Sequence, residues 1–154
     1  MQVYEQKLSE LMKKYAIKCQ HLHFDQSCHS VKEAAAAAKA RETDFVKNIC
    51  MITDTGKLIV AILKGEDKVN SQLVGEAMNF PPLRFATPSE ILEKTRYPVG
   101  GTPSFGYSAT FLIDPRVMEK KIVYSGGGSA QSLVKISPQE LVRANKGDIV
   151  RVRK

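Results

Sequence analysis

The chain has 154 residues, 43% apolar and 25% charged, a balance that fits one globular domain over residues 1–154 and argues against disorder. Its apolar runs are too short to span a bilayer, its N-terminus has acidic residues and no signal core, and its three cysteines lack CxxC spacing, which excludes a disulfide framework or a zinc finger and points to the cytoplasm. Twenty-three Lys and Arg against 16 Asp and Glu leave a charge of +7, which either draws polyanions, nucleic acid first, or serves solubility alone.

Tyr4, Leu8, Leu11 and Tyr15 recur at i, i+4, i+7 and i+11 and predict a helix over 3–15. Residues 17–24 read as extended. Ser30 with Glu33, Thr87 with Glu90 and Ser137 with Glu140 form capping boxes, so helices start near Val31, Pro88 and Pro138. The first of these runs through the alanines at 34–38, whose small side chains allow close packing on a sheet. Strands at 45–53 and 57–63 flank Asp54-Thr55-Gly56, a hairpin turn. A weaker helix covers 71–77, and further strands lie at 109–113, 121–125, 133–136 and 149–152. Hairpins mixed with short helices predict an α+β fold with a mixed, largely antiparallel sheet.

Two glycine-rich loops, YPVGGTPSFGYS at 97–108 and SGGGSAQS at 125–132, let the backbone come close to a ligand. Neither is a dinucleotide fingerprint or a P-loop. Pro98 and Pro103 stiffen the first, which suits N–H groups held toward an anion or a developing oxyanion. Lys47 interrupts the apolar run FVKNICMI and either snorkels at the strand end or holds an anion in a cleft. His21, His23 and His29 fall within nine positions, but their spacing matches no metal signature, and surface or half-buried histidines are expected. Cys28 and His29 are adjacent, poor geometry for a nucleophile and its base. Cys50 reads as core, and no carboxylate pair suits acid–base work.

The order of these motifs resembles the YbaK family of aminoacyl-tRNA deacylases, free-standing relatives of the editing insertion domain of bacterial prolyl-tRNA synthetase. The resemblance rests on SVKEAA at 30–35, FVKN at 45–48, TPSE at 87–90, YPVGGTPSFG at 97–106, Ile113-Asp114, VYSGGGS at 123–129 and LVKISPQEL at 133–141. It implies a partly barrel-like central sheet with short flanking helices. It also implies hydrolysis of the ester of a mischarged aminoacyl-tRNA, with no metal, no cofactor and no covalent intermediate. The partner implied is a tRNA acceptor end carrying an amino acid, and no membrane. Lys47 and the backbone of Gly100, Gly101 and Thr102 are then catalytic. Asn48, Pro103, Ser104, Phe105, Gly106, Gly127, Gly128 and Ser129 contact substrate. The water's base is a ribose hydroxyl of the substrate itself. The family's loop proline would fall at 104, where this chain has Ser104, and its acidic residue after the last glycine turn aligns with Leu133. An alternative is therefore a tRNA- or nucleotide-binding module that kept the fold and lost hydrolysis. The helix at 3–15 lies outside the shared motifs, and the sequence does not fix an oligomeric state.

Overall fold

The helix starts follow from side chains that satisfy first-turn N–H groups. In the computed structural model, which describes residues 3–154, the hydroxyls of Ser30, Thr87 and Ser137 accept from the N–H groups of Glu33, Glu90 and Glu140. The Glu90 carboxylate also accepts from Thr87 N–H, completing a reciprocal cap. The helices are α1 (Val3–Lys14), α2 (Val31–Ala38), α3 (Ser71–Ala77), α4 (Pro88–Thr95), α5 (Pro115–Met118) and α6 (Pro138–Asn145).

The strands are β1 (Cys19–His23), β2 (Val46–Thr53), β3 (Leu58–Lys64), β4 (Leu83–Phe85), β5 (Thr110–Ile113), β6 (Val123–Gly126), β7 (Ser132–Ile136) and β8 (Asp148–Ile149). One sheet has the order β4-β2-β3-β5-β8 and the other β1-β7-β6. The β2–β3 hairpin pairs Val46 with Lys64 and Ile52 with Leu58. β3 and β8 flank β5 in parallel, and the other strand pairs are antiparallel. The fold is thus mixed α+β. The sheets do not close into a barrel, and an isolated parallel bridge between Phe45 and Tyr124 joins them.

Every residue of β3 is buried, which its continuous apolar run anticipates. The largest apolar cluster gathers Leu8, Tyr97, Phe105, Phe111 and Ile136. A separate cluster lies under α2, where Ala34 and Ala35 pack with Cys28, Phe45, Tyr124 and Leu133. The alanine tract therefore does what its size suggests: it brings α2 close to the seam between the sheets.

Three elements differ from expectation. β4 is three residues long and follows Pro81-Pro82, too short to show a period. Asp114 caps the four-residue α5 by accepting from Arg116 N–H. The strand expected at 149–152 shortens to Asp148–Ile149, because Val152 and Arg153 donate their N–H groups to the Asp114 carboxylate instead of to a ladder. Among the described residues no helix is long and apolar enough to cross a membrane.

Candidate functional site

Lys47, Asn48, Gly100, Gly101 and Thr102 line one cleft of about 200 Å³. Its floor is apolar and comes from the cluster under α2, through Ala34, Phe45 and Leu133. Consecutive residues leave opposite faces of a strand, so Lys47 and Asn48 reach different walls. The Lys47 ammonium donates to the Gly65 carbonyl at 3.3 Å, its one hydrogen bond among the described residues. Asn48 is the residue that touches the loop, donating through Nδ2 to the Thr102 carbonyl at 3.0 Å.

Ser104 explains why Asn48 holds that pose. It is fully buried, and its hydroxyl donates to Asn48 Oδ1 at 2.8 Å. The Ser104 and Ser125 oxygens are 2.6 Å apart; since Ser104 spends its proton on Asn48, Ser125 supplies the proton of that bond. Asn145 Nδ2 donates to the Ser104 carbonyl at 3.0 Å. Ser104 thus braces Asn48 from behind the cleft and does not line it, unlike the substrate contact the resemblance implies.

The loop begins as a single 3-10 turn, Val99–Gly101. Gly101 N–H and the Thr102 hydroxyl both donate to the Pro98 carbonyl, at 3.0 and 2.8 Å. That spends one of the three N–H groups expected to face an oxyanion. The N–H groups of Gly100 and Thr102 donate to no acceptor among the described residues.

The two glycine loops are built for close backbone approach. A Cβ on Gly101 would lie 2.2 Å from Ser129 N, and one on Gly126 would lie 2.2 Å from the Thr102 carbonyl oxygen. Gly128 N–H donates to the Gly101 carbonyl at 2.8 Å. Gly126 and Gly128 are therefore packing partners of the first loop rather than parts of a plain flexible turn. Gly127, Gly128 and Ser129 are buried behind the cleft. The Ser129 hydroxyl closes its own turn by accepting from Gln131 N–H.

The remaining loop residues point elsewhere. Pro103 is buried, and its carbonyl accepts from the Tyr107 hydroxyl at 2.7 Å. Phe105 is fully buried in the main core and anchors the loop. Gly106, with φ of +99°, lies against Leu11 of α1 and lines a second cavity with Tyr15 and Arg143. Phe105 and Gly106 are thus not lining residues of the Lys47 cleft, because one loop serves both the cleft and the core.

His29, Cys28, Ser30 and Ser125 also line the cleft. A Cβ on Gly100 would lie 3.0 Å from His29 Nδ1, so the bare glycine makes room for that imidazole. Burial, then the Glu33 charge, pushes the Cys28 thiol up from its ordinary value, which leaves it a poor nucleophile at neutral pH. The sequence weighs His29 beside His21 and His23 as a metal set and beside Cys28 as a nucleophile's base, and neither pattern points to this cleft. The pointer it offered was position: His29 directly precedes the Ser30 cap of a helix whose alanines seat it at the sheet seam. Among the described residues no three His, Cys, Asp or Glu side chains gather as a metal set.

Residues 25–144 match the family model of the aminoacyl-tRNA editing domain. The uncharacterized protein YwhH of Bacillus subtilis (strain 168) is 23% identical over 120 residues, 77% of this chain and 76% of that protein. The crystal structure of the hypothetical protein APE2540 superposes with a TM-score of 0.88 at 29% identity, over 96% of this chain and 99% of that one. A crystal structure described as a candidate trans-editing enzyme for prolyl-tRNA synthetase superposes at 0.92 with 20% identity, over 100% and 99%.

Proposed function

The chain belongs to the aminoacyl-tRNA editing domain family, and from that premise we propose that it hydrolyses the ester of a mischarged aminoacyl-tRNA in trans. The observation that carries this reading is the meeting, in one cleft, of a lysine with a single long hydrogen bond and a stiff loop with two unspent N–H groups. An aminoacyl ester is activated enough to need only a positioned water and a home for the tetrahedral oxyanion.

In this reading the terminal adenosine of the acceptor end enters between Lys47 and the loop. The ammonium of Lys47 acts as a point charge on the terminal phosphate or the reacting carbonyl. The N–H groups of Gly100 and Thr102 take the oxyanion as water adds to the carbonyl carbon. Collapse breaks the acyl–oxygen bond, returns the ribose hydroxyl and frees the amino acid. The neighbouring ribose hydroxyl relays a proton, taking one from the water as it passes its own to the departing ribose oxygen, so no protein side chain serves as base. Asn48, fixed by Ser104, holds the Thr102 peptide in register. The apolar floor of Ala34, Phe45 and Leu133 favours a short uncharged side chain on the amino acid. The charge of +7 supplies salt-sensitive affinity for the acceptor stem without base readout. We place the protein in the cytoplasm, with the whole chain acting as one domain.

The test is a panel of tRNAs charged with alanine, serine, cysteine or proline on matching and non-matching acceptors, with ester loss followed at neutral pH. Accelerated loss from at least one mischarged tRNA, with correctly charged tRNA spared, is expected. Rates equal to buffer across the panel would remove the deacylase reading.

A further inference from the structure

We propose that His21 is a positioning residue for this site, and that it braces the oxyanion loop from a segment the family match does not include. The proposal rests on the deacylase reading for its functional meaning. His21 sits on β1 (Cys19–His23), and the family match begins at residue 25. Its Nε2 lies 2.7 Å from the Gly127 carbonyl oxygen. A carbonyl only accepts, so Nε2 carries the proton and the neutral ring has a bare Nδ1. That Nδ1 is buried and has no hydrogen-bond partner among the described residues. A proton there would be a second buried donor with nothing to meet it.

Gly127 belongs to the turn that supports the cleft. Its neighbour Gly128 donates to the Gly101 carbonyl at 2.8 Å, and its other neighbour Gly126 lies directly against the Thr102 carbonyl. Holding the Gly127 carbonyl therefore fixes the turn, and the turn fixes the two peptides on either side of Thr102. The far side is closed as well. The His21 and His23 rings are 4.3 Å apart, and His23 Nδ1 donates to Glu5 Oε1 at 2.7 Å. A Cβ on Gly128 would lie 2.9 Å from the Tyr4 carbonyl oxygen and 3.2 Å from Glu5 Cα, so α1 abuts the same turn. The N-terminal helix and first strand thus form a backing plate for the oxyanion loop, a role their place outside the shared motifs does not suggest.

The test compares the wild-type protein with His21→Ala and His21→Gln. Amide exchange at Gly128 reads the brace directly, and long-range proton–nitrogen NMR reads the His21 tautomer. The alanine variant should exchange Gly128 N–H about tenfold faster, the effect of losing one hydrogen bond, with the thermal midpoint lower by only a few degrees and β3 amides exchanging only as that global loss requires. The glutamine variant, whose amide donates in a similar place, should restore most of that protection. With a proline tRNA charged with alanine as probe, kcat should fall in the alanine variant, recover in the glutamine variant, and leave KM unchanged. Unaltered Gly128 exchange and kcat in a folded His21→Ala protein would overturn the proposal. So would a wild-type His21 with its proton on Nδ1, a result that stands even if the alanine variant does not fold. If the wild-type protein deacylates no substrate in the panel, the deacylase reading fails, while exchange and tautomer still decide whether His21 braces the turn.

Discussion

Asp114 and Lys47 are both charged groups drawn into the protein, and the fold treats them in opposite ways. Asp114 is fully buried and saturated. Its Oδ1 accepts from Arg116 N–H at 3.0 Å and from the Arg153 guanidinium at 2.7 Å, and its Oδ2 accepts from Val152 and Arg153 N–H at 3.0 and 3.1 Å. Lys47 is half-buried in a wet cleft and has one bond at 3.3 Å. A structural charge is satisfied on every side, because a missing partner costs stability. A charge kept for a ligand retains donors that only the ligand completes.

That contrast breaks first at Asp114. Asp114→Ala orphans three backbone donors and a guanidinium, and a loss of about 3–5 kcal/mol in unfolding free energy is expected; chemical denaturation measures it. The carboxyl also gives the latch a pH signature. Burial alone would raise its pKa, but the N–H groups of Arg116, Val152 and Arg153 and the Arg153 guanidinium hold it below the ordinary value. A lowered pKa contributes stability above the unfolded value of about 4 and loses it as pH falls through the folded one. Stability should therefore decline below about pH 4 in the wild-type protein and more shallowly in Asp114→Asn.

The glycines sharpen the same contrast inside one loop. Gly101→Ala drives a Cβ into the Ser129 backbone at 2.2 Å, so the turn must move, at a cost of about 1–3 kcal/mol. Deacylation should fall by more than the stability loss explains. Gly106→Ala meets a strained φ of +99° and the flexible end of Leu11. It should lower the thermal midpoint while leaving kcat near wild type, since Gly106 faces the second cavity.

Much of the scaffold is legible in the sequence because its signals are local. Capping residues mark α2, α4 and α6, and Asp54-Thr55-Gly56 marks the β2–β3 turn. The end of the chain is not legible, because side-chain acceptance by Asp114 replaces strand pairing there, and no hydrophobic period records such a bond. The resemblance groups residues 100–106 as one site, whereas packing divides them. Gly100 to Thr102 line the cleft, Ser104 braces Asn48, and Phe105 fills the core. His29 is invisible to spacing because its neighbour, Gly100, lies 71 positions away in the sequence.

Ser104→Ala tests the brace. It leaves Asn48 Oδ1 and the Ser125 hydroxyl without their shared partner, and about 1–2 kcal/mol of stability should go. A several-fold drop in kcat at unchanged KM is expected if Asn48 holds the Thr102 peptide.

The smallest effect lies far from the cleft. The Arg143 guanidinium, with Lys18 N–H opposing the cost of burial, brings the Glu140 carboxyl down to about 2. Arg143 is largely in solvent, so screening keeps the pair's contribution small. Glu140→Gln should melt a few degrees lower at neutral pH. The gap should close as pH falls from about 4 toward 2, because the Glu140 carboxyl of the unfolded chain takes up a proton there before the folded one does.

Initial rates of ester hydrolysis and thermal midpoints, taken together on the wild-type protein and Lys47→Ala, test the central claim most directly. Loss of a charge-assisted contact should slow hydrolysis roughly ten- to a hundredfold, with the midpoint within about a degree or two, because one long bond in a wet cleft contributes little to folding. Wild-type rates in the alanine variant, or a midpoint that collapses with the activity, would contradict the account.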